Sequence, residues 1–196
     1  MSSVKIILAS ASPRRKELLG SLLKNFGLNF RVIPSDLDEI LPDKFSRPGL
    51  LVCNLAKEKA RFVAKKNDGI VIGADTIVIL KGKILGKPVS KSDAKKMLSM
   101  LSGNFHFVYT GIALLGENKS YSAYEKTQVW FRQLQKKEID YYVESGSPMD
   151  KAGAYGIQDD YGSTFVSKIN GDFFNVVGLP ILKTYLGLKR FLELGV

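Results

Sequence analysis

Short apolar runs alternate with helical patterns along the chain, an alternation that is typical of α/β proteins. The run at residues 5–9 predicts a buried strand, and Ser12 followed by Pro13 predicts a helix that begins with an N-cap and a proline at its first position. A second strand is predicted near residues 30–33. A second helix with one apolar face is predicted from about residue 48 to residue 66.

The rest of the chain continues the same alternation. The longest apolar run, Ile70–Leu80, is followed by Lys81-Gly82-Lys83 and a short apolar return, which predicts a β-hairpin. Further helices are predicted at 90–101, at 137–144 and after Pro180, and further strands at 107–115, 127–131, 164–169 and 173–177. Because no repeat, low-complexity segment or proline-rich linker divides the chain, we expect one domain over residues 1–196, with a mixed sheet and more than one lobe.

Charge and composition narrow the classes of function. Lys and Arg number 29 and Asp and Glu 19, and the net charge of +10 favours nucleic acid, an acidic membrane surface or a phosphorylated small molecule as partner. The single cysteine, Cys53, excludes an intramolecular disulfide and a cysteine-based zinc cage, and the single histidine, His106, excludes a multi-histidine metal site. No apolar run reaches the length of a membrane span, and the apolar start is too short for a signal peptide. A cytoplasmic location is therefore expected.

The segment at residues 10–15 places small residues and two arginines where a predicted strand runs into a helix N-terminus. Free backbone N–H groups and the positive end of the helix dipole suit such a junction to phosphate. Arg14 adds a planar donor fork that binds phosphate oxygens directionally. Ser10 and Ser12 would line this phosphate cradle. An ordinary N-cap with two solvated arginines explains the same residues equally well.

Two charged residues lie where the pattern predicts apolar surroundings. Asp75 interrupts a buried strand pattern, and its desolvation cost requires a cation or several donors nearby. A metal ion or a proton-transfer role would explain it, and a structural carboxylate that caps a bend at Gly73 is the alternative. Leu55 and Val63, four positions to either side, place Lys59 on an apolar helix face, where it must find an anion or extend outward to solvent.

Other candidate residues lie in predicted turns. An acidic turn follows the second predicted strand and contains Asp36, Asp38 and Glu39. Such a turn is either solvated or a source of one oxygen ligand for magnesium. Lys87 is either a phosphate contact or an exposed lysine. The glycine-rich stretch at 150–158 lacks the Walker pattern, and it is either a tight turn or a site where the Gln158 amide reads a base edge.

Together these stretches resemble the Maf family of nucleoside triphosphate pyrophosphatases, in the same order along nearly the whole chain. The matching stretches are residues 7–15 with 17–19, then 55–60, 73–76, 86–88, 101–103 with His106, 110–111, 150–158 and 177–180. One departure is Ser147, where the family pattern usually has glutamate. The resemblance implies an elongated two-lobed α/β fold, shared with the inosine triphosphate pyrophosphatases, with a mixed twisted sheet, flanking helices and a central cleft.

The resemblance also implies an activity. Members with Arg14, Thr76 and Gln158 at the specificity positions hydrolyse dTTP and UTP to the monophosphate and pyrophosphate, using a divalent cation, Mg²⁺ or Mn²⁺. A sister group prefers 7-methyl-GTP and has different sequence motifs at the positions of residues 73–76 and 154–158. The family is linked to cell-division arrest and to keeping modified nucleotides out of nucleic acids. A homodimer is expected from the family.

The resemblance and the residue chemistry together give a mechanistic hypothesis. Asp75 accepts the proton of the attacking water or helps a metal ion to activate it, and Glu39 is the second carboxylate at the metal. The groups that neutralise the triphosphate are Arg14, Arg15, Lys59 and Lys87. The expected partners are dTTP and UTP, without stable nucleic acid or membrane binding. The alternatives are a 7-methyl-GTP pyrophosphatase and a non-catalytic basic module that binds nucleic acid or protein.

Overall fold

The computed structural model describes residues 4–35, 37, 46–159 and 161–192. Within these residues the strands are β1 (Ile6–Leu8), β2 (Arg31–Val32), β3 (Ile70–Leu80), β4 (Lys83–Leu85), β5 (Phe105–Leu115), β6 (Ser120–Phe131) and β7 (Val166–Asn170). The α-helices are α1 (Pro13–Lys24), α2 (Pro48–Ala64), α3 (Lys91–Leu101), α4 (Lys136–Glu144), α5 (Phe173–Val177) and α6 (Ile181–Leu188). None of the helices in these ranges combines the length and the apolar character needed to cross a membrane.

The strands form one mixed sheet. Its order is β2-β1-β3-β5-β6-β7, and β4 pairs with β3. β1 runs parallel to β2 and to β3, whereas β4 is antiparallel to β3 and β7 is antiparallel to β6. The predicted α/β class, with a mixed sheet and flanking helices, is confirmed.

The chain divides into two compact units, each built from separate stretches of sequence. The first contains Met1–Asp75, Thr110–Glu125 and Gly178–Val196, and the second contains Thr76–Tyr109 and Lys126–Val177. The chain therefore passes from one unit to the other inside β3, β5 and β6. The single domain over residues 1–196 stays a prediction.

In the first unit, the two faces of the sheet are covered by different helices. One apolar cluster joins strand residues to α1 and α6 and includes Ile6, Leu8, Ile70, Ile72, Leu19, Leu23 and Leu188. The opposite cluster joins strand residues to α2 and contains Ile7, Ala9, Val71, Ala60 and Val63. Because successive side chains of a strand point to opposite faces, the odd-numbered residues of β3 face α2.

Two glycines allow α2 to lie directly on the strands. A Cβ atom at Gly73 of β3 would stand 2.1 Å from the carbonyl oxygen of Ala56, and one at Gly111 of β5 would stand 2.3 Å from the carbonyl carbon of Val52. A side chain at either position would push the helix away from the sheet. The close approach brings Lys59, one helical turn after Ala56, against β3.

The second unit has a core rich in aromatic rings. His106 of β5 is 1% exposed, and its Nε2 lies 2.8 Å from the Tyr155 hydroxyl oxygen. Its ring packs edge to face on Phe131 and Tyr155. Burial lowers the pKa of His106 to about 3. The imidazole is therefore a neutral packing group at physiological pH.

The turns and short elements show where the sequence pattern succeeds and where it fails. The predicted hairpin is confirmed, and its two turn residues, Lys81 and Gly82, both have positive φ (49° and 78°), as a two-residue hairpin turn of this kind requires.

The strand predicted at 173–177 is wrong, because that stretch forms the short helix α5. The Asp172 carboxylate accepts the N–H of Phe174 at 2.8 Å and so caps the helix start.

The burial of His106 predicts a pH-dependent stability. Its folded pKa of about 3 lies below the ordinary value of 6.5, so protonation favours the unfolded chain. The stabilising contribution is complete above pH 6.5 and is lost as the pH falls from 6.5 towards 3, with a limiting slope of about 1.4 kcal/mol per pH unit. Urea unfolding at steps between pH 7 and pH 5 should show this loss, and His106→Gln should flatten it. Equal slopes for the two proteins would contradict the assignment.

Candidate active site

A buried ion pair joins α2 to β3 in the first unit. The Lys59 ammonium donates to Oδ1 of Asp75. Lys59 is 7% exposed and Asp75 is 2% exposed. Lys59 therefore reaches an anion rather than solvent, and Asp75 lies within a continuous strand rather than at a bend. At such low exposure each charge depends on the other for compensation of its desolvation.

The loop after β1 adjoins the same stretch of β3. Leu8 pairs with Ile72 in parallel register, and the N–H of Ala9 donates to the carbonyl of Ile72 at 2.8 Å. Continuing this register puts Ser10 beside Ala74, the residue before Asp75. The carboxyl ends of adjacent parallel strands in α/β sheets are where ligands commonly bind.

The residues of this loop hold one another and the N-terminus of α1. Ser12 caps the helix as predicted, because its Oγ accepts the N–H of Arg15 at 3.4 Å. The buried Ser10 Oγ accepts the N–H of Ser12 at 3.2 Å and a guanidinium N–H of Arg15 at 3.3 Å. The Nε of Arg15 donates to the carbonyl of Gly178 at 2.9 Å. The half-buried Arg14 and Arg15 therefore lie at the positive end of a 12-residue helix whose first turn has no acidic residue.

Three other candidate residues belong to the second unit. Thr76 is half-buried in β3, Lys87 is exposed after β4, and Gln158 is exposed in the glycine-rich stretch. The carbonyl of Gly86 accepts the N–H of Gly153 at 3.0 Å, which ties the segment of Lys87 to that stretch. The acidic turn that supplies Asp36, Asp38 and Glu39 lies outside the described residues.

The described residues fit a metal site only of the simplest kind. Within the ranges that the structure describes, no three His, Cys, Asp or Glu side chains are grouped closely enough to hold a metal ion. Magnesium sites need only one or two carboxylates, because waters and substrate phosphates complete the shell. Asp75 offers a hard oxygen donor of the type that such a shell requires.

The second unit contains a polar network that the sequence pattern does not predict. The carboxylate of Asp159 accepts hydrogen bonds from the hydroxyls of Tyr142 and Ser147, each at 2.7 Å, and lies 3.3 Å from the ammonium of Lys151. Burial raises the pKa of Asp159, but these hydrogen bonds and the Lys151 charge outweigh burial, so its pKa is lowered overall. Burial and the Asp159 contact raise the pKa of Tyr142. The one sequence signal for this network is Ser147, at a position where the family pattern has an acidic residue.

Comparison with known proteins gives matches over most of the chain. Residues 5–191 match the model of the family described as Maf-like protein. Proteins of Bacillus anthracis and Bacillus cereus named dTTP/UTP pyrophosphatase are each 50% identical to the chain over 188 residues, which is 95% of this chain and 95% of the relative.

Two solved structures are also similar to the chain. One is a nucleoside-triphosphatase / dITP/XTP pyrophosphatase from Mycobacterium abscessus, with a TM-score of 0.46 and 15% identity, and the other is a HAM1 protein from Coxiella burnetii, with a TM-score of 0.46 and 17% identity. Each similarity covers 65% of this chain and 73% of the other. The family match and the relatives that align along almost the entire sequence show that the chain belongs to the Maf-like protein family.

Proposed function

We propose that this protein hydrolyses dTTP and UTP to the nucleoside monophosphate and pyrophosphate. The observation that carries the proposal is the buried Lys59–Asp75 pair beside the loop that follows β1. The names of the relatives at 50% identity support the same activity and the same substrates. A module that only binds nucleic acid through a basic surface does not require an ion pair in the interior of the protein, whereas Lys59 and Asp75 are both buried.

Asp75 is the proposed general base. Its carboxylate accepts a proton from a water molecule while the water oxygen forms a bond to the α-phosphorus. The bond from the α-phosphorus to the oxygen bridging to the β-phosphate breaks, and pyrophosphate leaves with that oxygen. The Lys59 ammonium donates to Oδ1 of Asp75 and so fixes the orientation of the carboxylate.

A divalent cation, Mg²⁺ or Mn²⁺, completes the proposal. When bound, such a cation lowers the pKa of a coordinated water and offsets the negative charge of the phosphates. We propose Asp75 and Glu39 as its protein ligands. The choice between the two cations stays a prediction.

The triphosphate would be bound by cations and by the loop at the start of α1. Arg14 and Arg15 present guanidinium groups at a helix N-terminus, where developing negative charge on the leaving pyrophosphate is stabilised. Ser10 and Ser12 form the wall of that loop. Lys59 and Lys87 are proposed as further phosphate contacts.

Selection of the base is assigned to three residues. We propose that Arg14, Thr76 and Gln158 distinguish dTTP and UTP from other triphosphates, as the family resemblance implies. The amide of Gln158 offers both a donor and an acceptor, which suits the edge of a pyrimidine base. A homodimeric state, a cytoplasmic location and a link to cell-division arrest or to removal of modified nucleotides stay predictions.

The first test is release of pyrophosphate from a panel of nucleoside triphosphates in the presence of Mg²⁺ or Mn²⁺. Wild type should act on dTTP and UTP, and Asp75→Asn should lower kcat by about 10² to 10⁴, the range that a general base contributes. The exposed Asp68→Asn, in the same unit, serves as the matched control. Preference for 7-methyl-GTP would overturn the substrate assignment, and undiminished turnover by Asp75→Asn would overturn its role.

Replacement of Lys59 should affect stability as well as rate. Lys59→Met keeps the length of the side chain but leaves the Asp75 carboxylate buried without its ammonium partner, so the free energy of unfolding should fall by about 3–5 kcal/mol. The double variant Lys59→Met/Asp75→Asn should recover much of this stability without recovering activity. Half-buried Lys57→Met, on the same helix, is the control. A loss for Lys59→Met no larger than for Lys57→Met in urea unfolding would refute the coupling.

The proposed role of Glu39 is tested by metal titration. Glu39→Gln should raise the concentration of Mg²⁺ at half-maximal rate by about 10- to 100-fold, because one of very few carboxylate ligands loses its charge. Saturating Mg²⁺ should restore most of the rate. An unchanged titration curve would exclude Glu39 as a ligand.

A further inference from the structure

Gln158 projects from a tight turn. The N–H of Asp159 donates to the carbonyl of Gly156 at 3.2 Å, which closes a four-residue turn with Ile157 and Gln158 at its centre. Ile157 is buried and Gln158 is exposed. The turn thus anchors one central side chain in the core and presents the next one outward.

One buried hydroxyl ties the two ends of this turn together. The Tyr142 hydroxyl accepts the N–H of Gly156 at 3.1 Å and donates to the carboxylate of Asp159 at 2.7 Å. Tyr142 is 2% exposed, so water does not compete for these bonds. The backbone of Gln158 is consequently bracketed on both sides by contacts to the same oxygen atom.

The Asp159 end of the turn has additional anchors from other parts of the second unit. Its carboxylate accepts the Ser147 hydroxyl at 2.7 Å and lies 3.3 Å from the Lys151 ammonium. Its carbonyl accepts the N–H of Ser163 at 2.9 Å. Several independent contacts therefore oppose any rotation of the turn.

The packing leaves little space for another conformation. A Cβ atom at Gly156 would stand 2.4 Å from the carboxyl carbon of Asp159. A Cβ atom at Gly162 would stand 2.7 Å from the carbonyl oxygen of Gly156 and 2.8 Å from the Tyr142 hydroxyl. The Asp159 carboxylate occupies the space that a side chain at Gly156 would need, and the Tyr142 hydroxyl occupies the space that one at Gly162 would need.

Ser147, the departure from the family pattern, takes part in the same network. Where the family pattern has a glutamate, this chain has a serine whose hydroxyl donates to the carboxylate of Asp159. The Lys151 ammonium lies 2.7 Å from the carboxylate of Asp150 and 3.3 Å from that of Asp159, so one of its two acidic neighbours belongs to the turn, one residue after Gln158.

We propose that Tyr142 and Asp159 are positioning residues that fix the Gln158 amide for hydrogen bonding to the edge of a pyrimidine base. This inference rests on the proposed function, in which Gln158 selects the base. Neither residue touches the reacting atoms, and both act through the backbone of the turn.

The decisive variant is Tyr142→Phe, which removes one oxygen atom and keeps the ring. We expect kcat/KM for UTP to fall about tenfold, the factor that corresponds to 1.4 kcal/mol. The loss should arise from a higher KM, and kcat should change by no more than about twofold. The preference for UTP over 7-methyl-GTP should fall by a similar factor. Tyr141→Phe is the matched control, because Tyr141 is the adjacent residue and is 67% exposed.

A double-mutant cycle separates positioning from a general structural effect. If Tyr142 acts through Gln158, Tyr142→Phe should change the substrate preference little in a Gln158→Ala background. Additive losses in the double variant, or an unchanged preference in Tyr142→Phe alone, would overturn the inference. If Tyr142→Phe does not fold, Asp159→Asn takes its place in the same cycle, with the same expected non-additivity.

Amide hydrogen exchange keeps this test apart from that of the proposed function. Wild type should protect the N–H groups of Gly156 and Asp159, and Tyr142→Phe should accelerate exchange at both relative to Tyr141→Phe. Equal exchange in the two variants would show that the Tyr142 hydroxyl does not hold the turn, even if the enzyme is active. If the wild type protects these N–H groups but releases no pyrophosphate from any nucleotide, the proposed function is refuted, and the base-reading role of Gln158 with it. The contacts of Tyr142 and Asp159 to the turn would then be a structural feature only.

Discussion

The burial of one carboxylate in the middle of a strand constrains the whole first unit. The charge of Asp75, which is 2% exposed, needs compensation, and the Lys59 ammonium supplies it from the element that covers this face of the sheet. That element is α2, and its lysine can reach Asp75 only if helix and strand lie in direct contact. Gly73, with the backbone of Ala56 pressed against it, provides this contact. The small residues and the ion pair are thus parts of one arrangement.

The same constraint explains the polar loop after β1. Parallel pairing of β1 with β3, continued beyond Leu8, brings Ser10 beside Ala74, the residue before Asp75, so the loop that leads into α1 starts next to this stretch of β3. The helix N-terminus contributes positive potential, and Arg15 is oriented by Ser10 and by the carbonyl of Gly178. A single strand pairing therefore places the loop that is proposed to bind the triphosphate beside the stretch of β3 that contains the proposed general base.

The sequence was sufficient to single out the two members of the buried pair but not to show that they meet. Asp75 in an apolar run and Lys59 on an apolar helix face are local signals, since each residue conflicts with its own neighbours, and the structure shows that they satisfy each other. The short helix at Phe173–Val177 was missed because its apolar sequence resembles a strand, and its formation depends on capping by Asp172. The contacts that hold the turn around Gln158 were not predicted, because Tyr142 and Asp159 are 17 positions apart. Nothing in the sequence near either residue indicates that they meet.

The loop at the start of α1 and the network around Gln158 differ because charge attraction and hydrogen bonding depend differently on distance. The charge attraction between a guanidinium group and a phosphate falls only as the inverse of separation, so part of this interaction survives a displacement that weakens the directional N–H contacts. A hydrogen bond between an amide and a base edge weakens steeply beyond about 3.2 Å or with a bent angle. A residue that reads a base therefore needs a backbone held within fractions of an ångström, and a buried hydroxyl between two ends of a turn provides such a hold. On this argument, a polar network that fixes the backbone should surround Gln158, the residue proposed to contact the base, and that is where Tyr142, Asp159 and Lys151 lie.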